Sequence, residues 1–251
     1  MANKIYFVSD MHFGAPSPES SLIREKHFIK WLRSIKDDVA ELYLLGDVFD
    51  FWFEYKKAVP RGYVRLLGAL AELSDAGVKI HIFAGNHDLW YHDYFKKEIG
   101  AEVYHTPQRR NFFGREYYLA HGDGLGPGDH GYKLMKKVIT APISKWMFHR
   151  LHPNAGIGLA LWVSTKGGDH NYESEGHEAM YYGQDDYLYI HSQELLKKQE
   201  KIDCFIYGHR HVLVHDWMPA GQEFVILGDW IQYFSYLEVS PEGNQIAVFP
   251  A

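Results

Sequence analysis

The chain has 251 residues, of which 46% are hydrophobic and 23% are charged, and its formal net charge is −6 at pH 7. These values are typical of a folded soluble protein with a large core, and the acidic balance argues against a dedicated nucleic-acid-binding protein. No apolar stretch reaches the roughly 20 residues that a membrane-spanning helix needs. The single cysteine, Cys204, excludes an internal disulfide framework and indicates a reducing compartment. The N-terminal stretch MANKIYFVSD runs directly into a strand-like pattern, so we expect a cytoplasmic protein without a signal peptide.

Short apolar runs that stop at a glycine or a polar residue recur along the chain. In order they are KIYFVSD, ELYLLGD, VKIHIFAGNHD, REYYLAHGD and DCFIYGHRH, and each is typical of a buried strand. Helical apolar spacing separates the early runs, over residues 20–36 and 61–76. Strands that alternate with helices predict an α/β sheet whose functional groups gather at the carboxyl ends of the strands.

Beyond residue 220 the pattern changes, because EFVILGDW, SYLEVS and NQIAVF are strand-like and no helical pattern separates them. This mixture predicts an α/β fold of two packed β-sheets with helices outside. Residues 125–200 hold no convincing strand pattern; they open with the glycine-rich GLGPGDHG and then show helical spacing. We therefore expect a core formed by residues 1–124 and 201–251 and a helical cap insertion at 125–200, which we call the cap segment.

The polar residues at the strand ends are of the kinds that bind metals. Any one of them alone is more simply explained as a turn former or as a hydrogen-bonded core histidine. Five strands that each end in such a residue favour a shared site instead. Carboxylate, amide and imidazole ligands without a thiolate suit Mn²⁺, Fe²⁺, Zn²⁺ or Co²⁺. Seven candidates are too many for one ion and suit two: Asp10, His12, Asp47, Asn86, His121, His209 and His211.

The strand ends also carry five motifs that resemble those of the calcineurin-like metallophosphoesterases: D-x-H at Asp10, GD at Asp47, GNHD at Asn86, HGD at His121 and GH-x-H at His209. The resemblance spans nearly the whole chain and implies a four-layer sandwich with a dinuclear metal site. It implies two ligand sets that share one carboxylate: Asp10, His12, Asp47 and His211 for one ion, and Asp47, Asn86, His121 and His209 for the other. Two such ions, with manganese favoured, would hold a bridging hydroxide that attacks phosphorus.

His87 lies beside Asn86 in the GNHD motif. In the resembling superfamily this histidine is similar to a general acid, or a transition-state donor, at the phosphoryl group. Asp88 would orient His87 and raise the pKa of its imidazole, since carboxylate partners of histidine have that effect. We therefore expect Asn86, His87 and Asp88 to form the catalytic stretch of the site.

Two longer stretches resemble the UDP-2,3-diacylglucosamine hydrolases of lipid A biosynthesis in Gram-negative bacteria: GDVFDFWFEY at 46–55 and HGDGLGPGDHGYKLMKK at 121–137. The resemblance implies hydrolysis of the diphosphate of a UDP-linked glycolipid, with UMP and 2,3-diacylglucosamine 1-phosphate as products. The chain differs from the best-known members at His87, where they carry arginine, and at Arg210, where they carry threonine.

The same resemblance implies substrate contacts by Asp129, Tyr132 and Ser164, and Lys166 is a further candidate by its charge alone. Between residues 130 and 168 the cap segment carries six lysines or arginines and no acid. With its apolar runs, this composition suits a diphosphate, two acyl chains and peripheral contact with an anionic inner-membrane surface. No nucleic acid and no obligate protein partner are expected. Two alternatives stay open: a metallophosphoesterase for another phosphodiester, nucleotide or phosphoprotein, and a non-enzymatic scaffold.

Overall fold

The structure is a computed structural model that describes residues 3–167, 180–198 and 200–250, with side chains for all of these except residues 162–167. Eleven strands and seven α-helices occupy the described residues, and a short 3₁₀ turn, Gly183–Asp185, precedes the last helix. The strands are β1 (Lys4–Val8), β2 (Val39–Leu44), β3 (Lys79–Phe83), β4 (Glu102–Tyr104), β5 (Gln108–Phe112), β6 (Arg115–Ala120), β7 (Cys204–Tyr207), β8 (Leu213–Trp217), β9 (Glu223–Leu227), β10 (Ser235–Ser240) and β11 (Gly243–Val248). The helices are α1 (Pro18–Ser34), α2 (Val64–Asp75), α3 (Tyr94–Ile99), α4 (His130–Thr140), α5 (Pro142–His149), α6 (Pro153–Gly167) and α7 (Tyr187–Lys197).

The strands form two mixed sheets. The first has the order β11-β10-β1-β2-β3-β4, in which β1 to β4 are parallel and β10 and β11 are antiparallel to their neighbours. The second has the order β5-β6-β7-β9-β8, in which the three central strands are parallel and both edge strands are antiparallel. Parallel strands require long crossovers, and helices α1, α2 and α7 supply them on the outer faces.

The hydrophobic core lies in three layers. Between the sheets, Phe7 and Tyr43 from the first sheet face Leu119, Ile206 and Val225 from the second. On the outer face of the first sheet, α1 and α2 bury their apolar faces, while α7 packs on the outer face of the second sheet. The predicted fold, two packed sheets flanked by helices, is confirmed.

Helix α1 shows how the sequence sets these boundaries. Ser17 and Ser20 form reciprocal hydrogen bonds at its N-terminus, and Pro18 occupies the first helical position, where its missing N–H is not needed. Phe28, Trp31 and Leu32 then recur at helical spacing and are buried against the first sheet. The helix thereby carries the chain back across the sheet, so that β1 and β2 end at the same edge.

Residues 130–167 of the cap segment form helices α4, α5 and α6. Phe148 of α5 packs against Phe53 and Trp90, with ring centroids 4.5 Å and 4.7 Å away, so the cap segment is seated on the core loops that follow β2 and β3. Helix α7 buries Leu188 and Tyr189 in the layer outside the second sheet. The limits of the cap segment at residues 125 and 200 stay a prediction. Among the described helices, none combines the length and apolar character needed to cross a membrane.

Candidate metal centre

The polar ends of β1 and β7 meet to form one group of metal-binding side chains. Asp10 Oδ1 lies 3.5 Å from His211 Nε2 and 3.8 Å from His12 Nε2. The two Nε2 atoms of His12 and His211 are 3.2 Å apart. His12 Nε2 is also 3.5 Å from Asp47 Oδ2, at the end of β2. Four ligand atoms from three strands therefore converge on one small volume.

A second group lies on the other side of Asp47. Asp47 Oδ2, the same atom, is 3.3 Å from His121 Nε2, which follows β6. His121 Nε2 is 3.1 Å from Asn86 Oδ1, and a ring nitrogen of His209 lies within 4.8 Å of the ligand atoms of Asp47 and His121. The structure thus brings together all seven residues that the sequence nominated, with the Asp47 carboxylate between the two groups.

The donor set fits divalent transition-metal ions. Asp10 Oδ1 is buried and has no hydrogen-bond partner among the described residues, which is costly for a carboxylate unless a cation binds it. His12 and His211 direct nitrogen atoms at each other, an arrangement that a shared cation would stabilise. Imidazole nitrogens with carboxylate and amide oxygens are ligands that Mn²⁺, Fe²⁺, Co²⁺ and Zn²⁺ accept. The chain therefore offers two ligand sets of the right chemistry.

Backbone strain is concentrated at these residues. Five of the seven have a positive φ, a region that non-glycine residues rarely occupy: Asp10 (58°), His12 (44°), Asp47 (50°), His209 (68°) and His211 (49°). Hydrogen bonds hold the strained loops together, for example from the backbone N–H of His209 to Asp10 Oδ2 at 2.8 Å. Such strain persists only where the surroundings enforce it, and it clusters at functional sites.

Glycines before the ligands allow the loops to approach one another. A Cβ atom on Gly85 would lie 2.1 Å from Asp47 Oδ1, and one on Gly46 would lie 2.4 Å from His121 Nδ1. Both distances are far below van der Waals contact, so only glycine fits at either position. Gly46 and Gly85 are therefore part of the site rather than generic turn residues.

Groups outside the ligand set orient the imidazoles. His121 Nδ1 lies 2.8 Å from the carbonyl oxygen of Leu45, and His211 Nδ1 lies 3.1 Å from Asp229 Oδ2. Each contact places a proton on Nδ1 and directs Nε2 toward the centre. Sequence analysis missed Asp229, although it follows a glycine at the end of β9 in the same way that Asp47 follows Gly46 at the end of β2.

The carboxylates of the centre act strongly on the neighbouring imidazoles. Burial opposes the charged form of His12, but hydrogen bonds with Asp10 and Asp50 outweigh it and raise the pKa of His12 to about 10. For His121, burial is likewise outweighed by the Asp47 charge, and its pKa is raised to about 10. In contrast, burial and the nearby His121 lower the pKa of His209 to about 4. Carboxylates that hold protons on two neighbouring imidazoles would equally stabilise divalent cations there.

His87 lies at the edge of the centre. Its backbone N–H donates to Asp47 Oδ1 at 2.9 Å, and its ring packs edge-on against His12 with centroids 4.7 Å apart. His87 Nδ1 is 3.3 Å from Asp50 Oδ1. Burial lowers the pKa of His87, but the Asp47 charge and the Asp50 contact outweigh it and raise that pKa. A ring nitrogen of His87 also lies within 4.8 Å of ligand atoms of His12 and Asp47.

The predicted role of Asp88 needs correction. Its carboxylate faces the backbone of two loops: Oδ1 accepts from the N–H of Gly85 at 2.7 Å, and Oδ2 accepts from the N–H of Val48 at 2.8 Å. Oδ2 also accepts from the N–H of Phe49 and the hydroxyl of Tyr91. Asp50, the fifth residue of the GDVFDFWFEY stretch, is the carboxylate that contacts the His87 ring. These four donors come from the loop after β2 and the loop after β3, so the Asp88 carboxylate links the two loops.

The predicted substrate contacts lie at the start of the cap segment. Asp129 is exposed at the N-terminus of α4 with a φ of 47°, and its side chain accepts from the N–H of Tyr132. The Tyr132 hydroxyl donates to Asp123, two residues beyond His121. Ser164 and Lys166 fall in α6, but their side chains lie outside the described residues.

Two lysines of the cap segment differ from the expectation that they serve a diphosphate. Lys136 forms an ion pair with the buried carboxylate of Asp123, and Lys133 donates to the carbonyl oxygen of Gly126. Both contacts tie α4 to the loop that follows β6. These lysines therefore anchor the cap segment, because their ammonium groups already have protein partners.

Comparison with known proteins identifies the family of this chain. The family model for calcineurin-like phosphoesterases matches residues 3–213, and the chain belongs to that family. It is 37% identical to the UDP-2,3-diacylglucosamine hydrolase of Porphyromonas gingivalis over 246 residues, which is 94% of each chain. It is 26% identical to the enzyme of the same name from Histophilus somni, over 96% of this chain and 98% of that one. Among solved structures, an archaeal phosphodiesterase aligns over 98% of this chain and 99% of its own, with a TM-score of 0.48 and 12% identity.

Proposed function

We propose that this protein hydrolyses the diphosphate of UDP-2,3-diacylglucosamine to UMP and 2,3-diacylglucosamine 1-phosphate. One observation carries the proposal: a complete two-group ligand site lies on a chain that resembles the P. gingivalis hydrolase of that substrate over 94% of both lengths. The scaffold alternative is disfavoured, because all seven ligand positions are present and converge. The other phosphoesters remain the competing substrates.

Asp10, His12, Asp47 and His211 would hold one ion, and Asp47, Asn86, His121 and His209 would hold the other. We propose manganese for both. When bound, such ions acidify water to supply the nucleophile and neutralise charge on the phosphoryl oxygens. The protein's own contribution is to fix the ligand atoms by the hydrogen bonds and strained loops described above, which leaves little reorganisation for the reaction itself.

His87 supplies the proton donor in this proposal. His87 Nδ1 lies 3.2 Å from the carbonyl oxygen of Asp50 and 3.3 Å from its Oδ1, so Nε2 is the nitrogen that would face the substrate. The raised pKa of His87 keeps its imidazole protonated at higher pH than an isolated histidine. The charged ring stabilises negative charge on the phosphoryl group and can transfer its proton to the departing sugar phosphate.

The cap segment would receive the glycolipid and rest on the membrane. Large apolar side chains are exposed on α4 and α5, including Leu134 (65%), Trp146 (54%) and Met147 (60%). Lysines and Arg150 accompany them, with no acid over residues 130–168. A basic surface with exposed apolar side chains is suited to an anionic bilayer surface, where the acyl chains of the substrate reside.

The test is hydrolysis of UDP-2,3-diacylglucosamine by the purified protein after removal of metal and addition of Mn²⁺. In H₂¹⁸O, attack on the α-phosphorus places the label in UMP. Asp47→Ala is the control, and it should lose both ions and nearly all activity, because Asp47 belongs to both ligand sets. Rapid cleavage of bis(p-nitrophenyl) phosphate with the glycolipid left intact would assign a different phosphoester.

A further inference from the structure

Arg210 lies between two of the residues in the proposed metal site, His209 and His211, yet it points away from the centre. Its Nε and Nη2 atoms lie 3.3 Å and 3.2 Å from Asp186 Oδ2, and Nη2 also donates to the carbonyl oxygen of Met180 at 2.9 Å. The guanidinium group lies against the rings of Tyr182 and Tyr187, 5.8 Å and 5.7 Å from their centroids. Nε, Nη2 and the guanidinium faces are thus engaged by residues outside the metal centre.

The partner of Arg210 is itself firmly held. The Asp186 side chain is fully buried, and its second oxygen, Oδ1, accepts from the N–H of Leu188 at 3.0 Å, which makes Asp186 the N-cap of α7. Helix α7 is packed on the second sheet through Leu188 and Tyr189. A buried carboxylate fixed to a packed helix is a rigid anchor for a guanidinium fork.

The residues on either side of Arg210 need such an anchor. His209 and His211 both have a positive φ, so the loop that carries them lies in a strained conformation. The inner side of the loop is fixed by the N–H of His209, which donates to Asp10 Oδ2, and by the contact of His211 with Asp229. Arg210 fixes the outer side of the same loop. Its side chain projects away from the metal centre because it lies between the two histidines.

We propose that Arg210, with Asp186, is a positioning residue that aligns His209 and His211 for metal binding. The inference rests on the proposed metal site but assigns a role to a residue that is not a ligand. Arg210 therefore acts through the loop: the guanidinium fork holds both histidines in register with Asp10 and Asp47, and so sets the affinity of the site for the ion.

The loop that carries His209 and His211 is called the metal loop below. The same contacts connect it to the part of the cap segment that precedes α7, because Met180 and Tyr182 lie just before that helix in the chain. The start of that segment reaches the same place: a Cβ atom on Gly126 would lie 2.4 Å from the carbonyl oxygen of Tyr187. Arg210 thus contacts Tyr187, against which Gly126 at the start of the segment packs, as well as Met180 and Tyr182. The alignment of His209 and His211 therefore depends on how the cap segment, which would bind substrate, packs against the core.

The experiment measures Mn²⁺ binding to the full-length protein by isothermal titration calorimetry and by the electron paramagnetic resonance signal of free Mn²⁺. Arg210→Gln removes the charge and the fork, and Asp186→Asn removes the anchor charge but keeps an N-cap acceptor for α7. Each should weaken Mn²⁺ binding roughly 10- to 100-fold, the usual effect of removing a partner that orients a ligand. The double variant should be no weaker than either single one, because both changes break one linkage.

Arg115→Gln is the matched control. Arg115 also pairs with a largely buried carboxylate, Glu223, at 3.1 Å, but at the amino ends of β6 and β9, remote from the metal loop. It should leave Mn²⁺ affinity unchanged. Should Arg210→Gln fail to fold, Arg210→Lys serves instead: it retains a charge for Asp186 but cannot also reach Met180, so binding should be intermediate.

Folded Arg210 and Asp186 variants with the affinity of the unaltered protein would overturn the inference, as would an equal loss in Arg115→Gln. Failure of the metal site itself would look different. In that case the unaltered protein would bind no Mn²⁺, or Asp47→Ala would bind it normally, whatever the behaviour of Arg210.

Discussion

Two aspartates close to His87 have different tasks, which their hydrogen bonds reveal and their positions in the sequence do not. Asp50 is 37 residues away in the chain but its carboxylate lies against the His87 ring, whereas the adjacent Asp88 is occupied by backbone N–H groups. Residues 86–88 form a bend after β3, and the side chains of His87 and Asp88 take different partners there. The partner of His87 comes from the next loop instead.

Replacement of His87 separates a proton donor from a metal ligand. His87→Ala should retain both ions and lower kcat by roughly 10²- to 10⁴-fold, the usual contribution of a general acid or base. Metal content and steady-state kinetics, measured on the same sample, check this. Loss of one ion from the folded variant would instead make His87 a ligand, since one of its ring nitrogens lies within 4.8 Å of a ligand atom of Asp47.

Asp50 should control the pH range of the reaction. Its contact helps raise the pKa of His87, so Asp50→Asn lowers that pKa and deprotonates the donor at lower pH. The alkaline limb of the pH profile of kcat/KM should therefore shift to lower pH, while Asp50→Glu should shift it less. An unchanged alkaline limb with a reduced maximum would show that Asp50 acts on structure alone.

Asp88 contributes to stability rather than to proton transfer. Asp88→Ala leaves the N–H groups of Gly85 and Val48 and the Tyr91 hydroxyl without their acceptor in a buried place, at a cost of about 3 kcal/mol. Asp88→Asn retains an acceptor and should lose less. Urea unfolding at neutral pH measures both, and a wild-type stability for Asp88→Ala would contradict this role.

At the scale of the elements, the sequence predicted a strand where its apolar run was clear and long enough. The strands β1, β2, β3, β6, β7 and β9 are apolar runs that stop at a glycine or a polar residue, and all were identified. Strand β4 has three residues and β5 reads QRRNF, so neither carries an apolar signal. Both pair at sheet edges, where one side of the strand is in solvent, and only tertiary pairing makes them strands.

The turn after β3 gives a test at this scale. Gly85→Ala would place a Cβ atom 2.1 Å from Asp47 Oδ1, so the loops after β2 and β3 must separate. Both ions should bind weakly and activity should fall by at least the 10²-fold expected for a displaced ligand. Gly68→Ala, in the middle of α2 with open space around it, is the control and should stabilise the fold by about 0.5 to 1 kcal/mol. Equal effects of the two variants would contradict the steric argument.

At the scale of the whole molecule, the ligand residues were predictable because each ends a strand and parallel strands end at a common edge. Residues that support the ligands were not. Asp229 and Asp186 reach His211 and Arg210 only because β9 lies beside β7 and α7 packs on the second sheet. Such pairs depend on how the layers are stacked, which local sequence patterns do not encode.

The exposed apolar side chains of the cap segment lead to a prediction about membranes. Trp146→Glu and Leu134→Glu place acids among lysines and remove apolar area, so both the hydrophobic and the electrostatic attraction to an anionic bilayer should fall. Co-sedimentation with vesicles of phosphatidylglycerol and phosphatidylcholine should drop severalfold, and 0.5 M salt should weaken binding of the unaltered protein. Ile23→Glu, which replaces an equally exposed apolar residue on α1, should bind as before. If all three variants bind alike, the membrane-facing surface lies elsewhere.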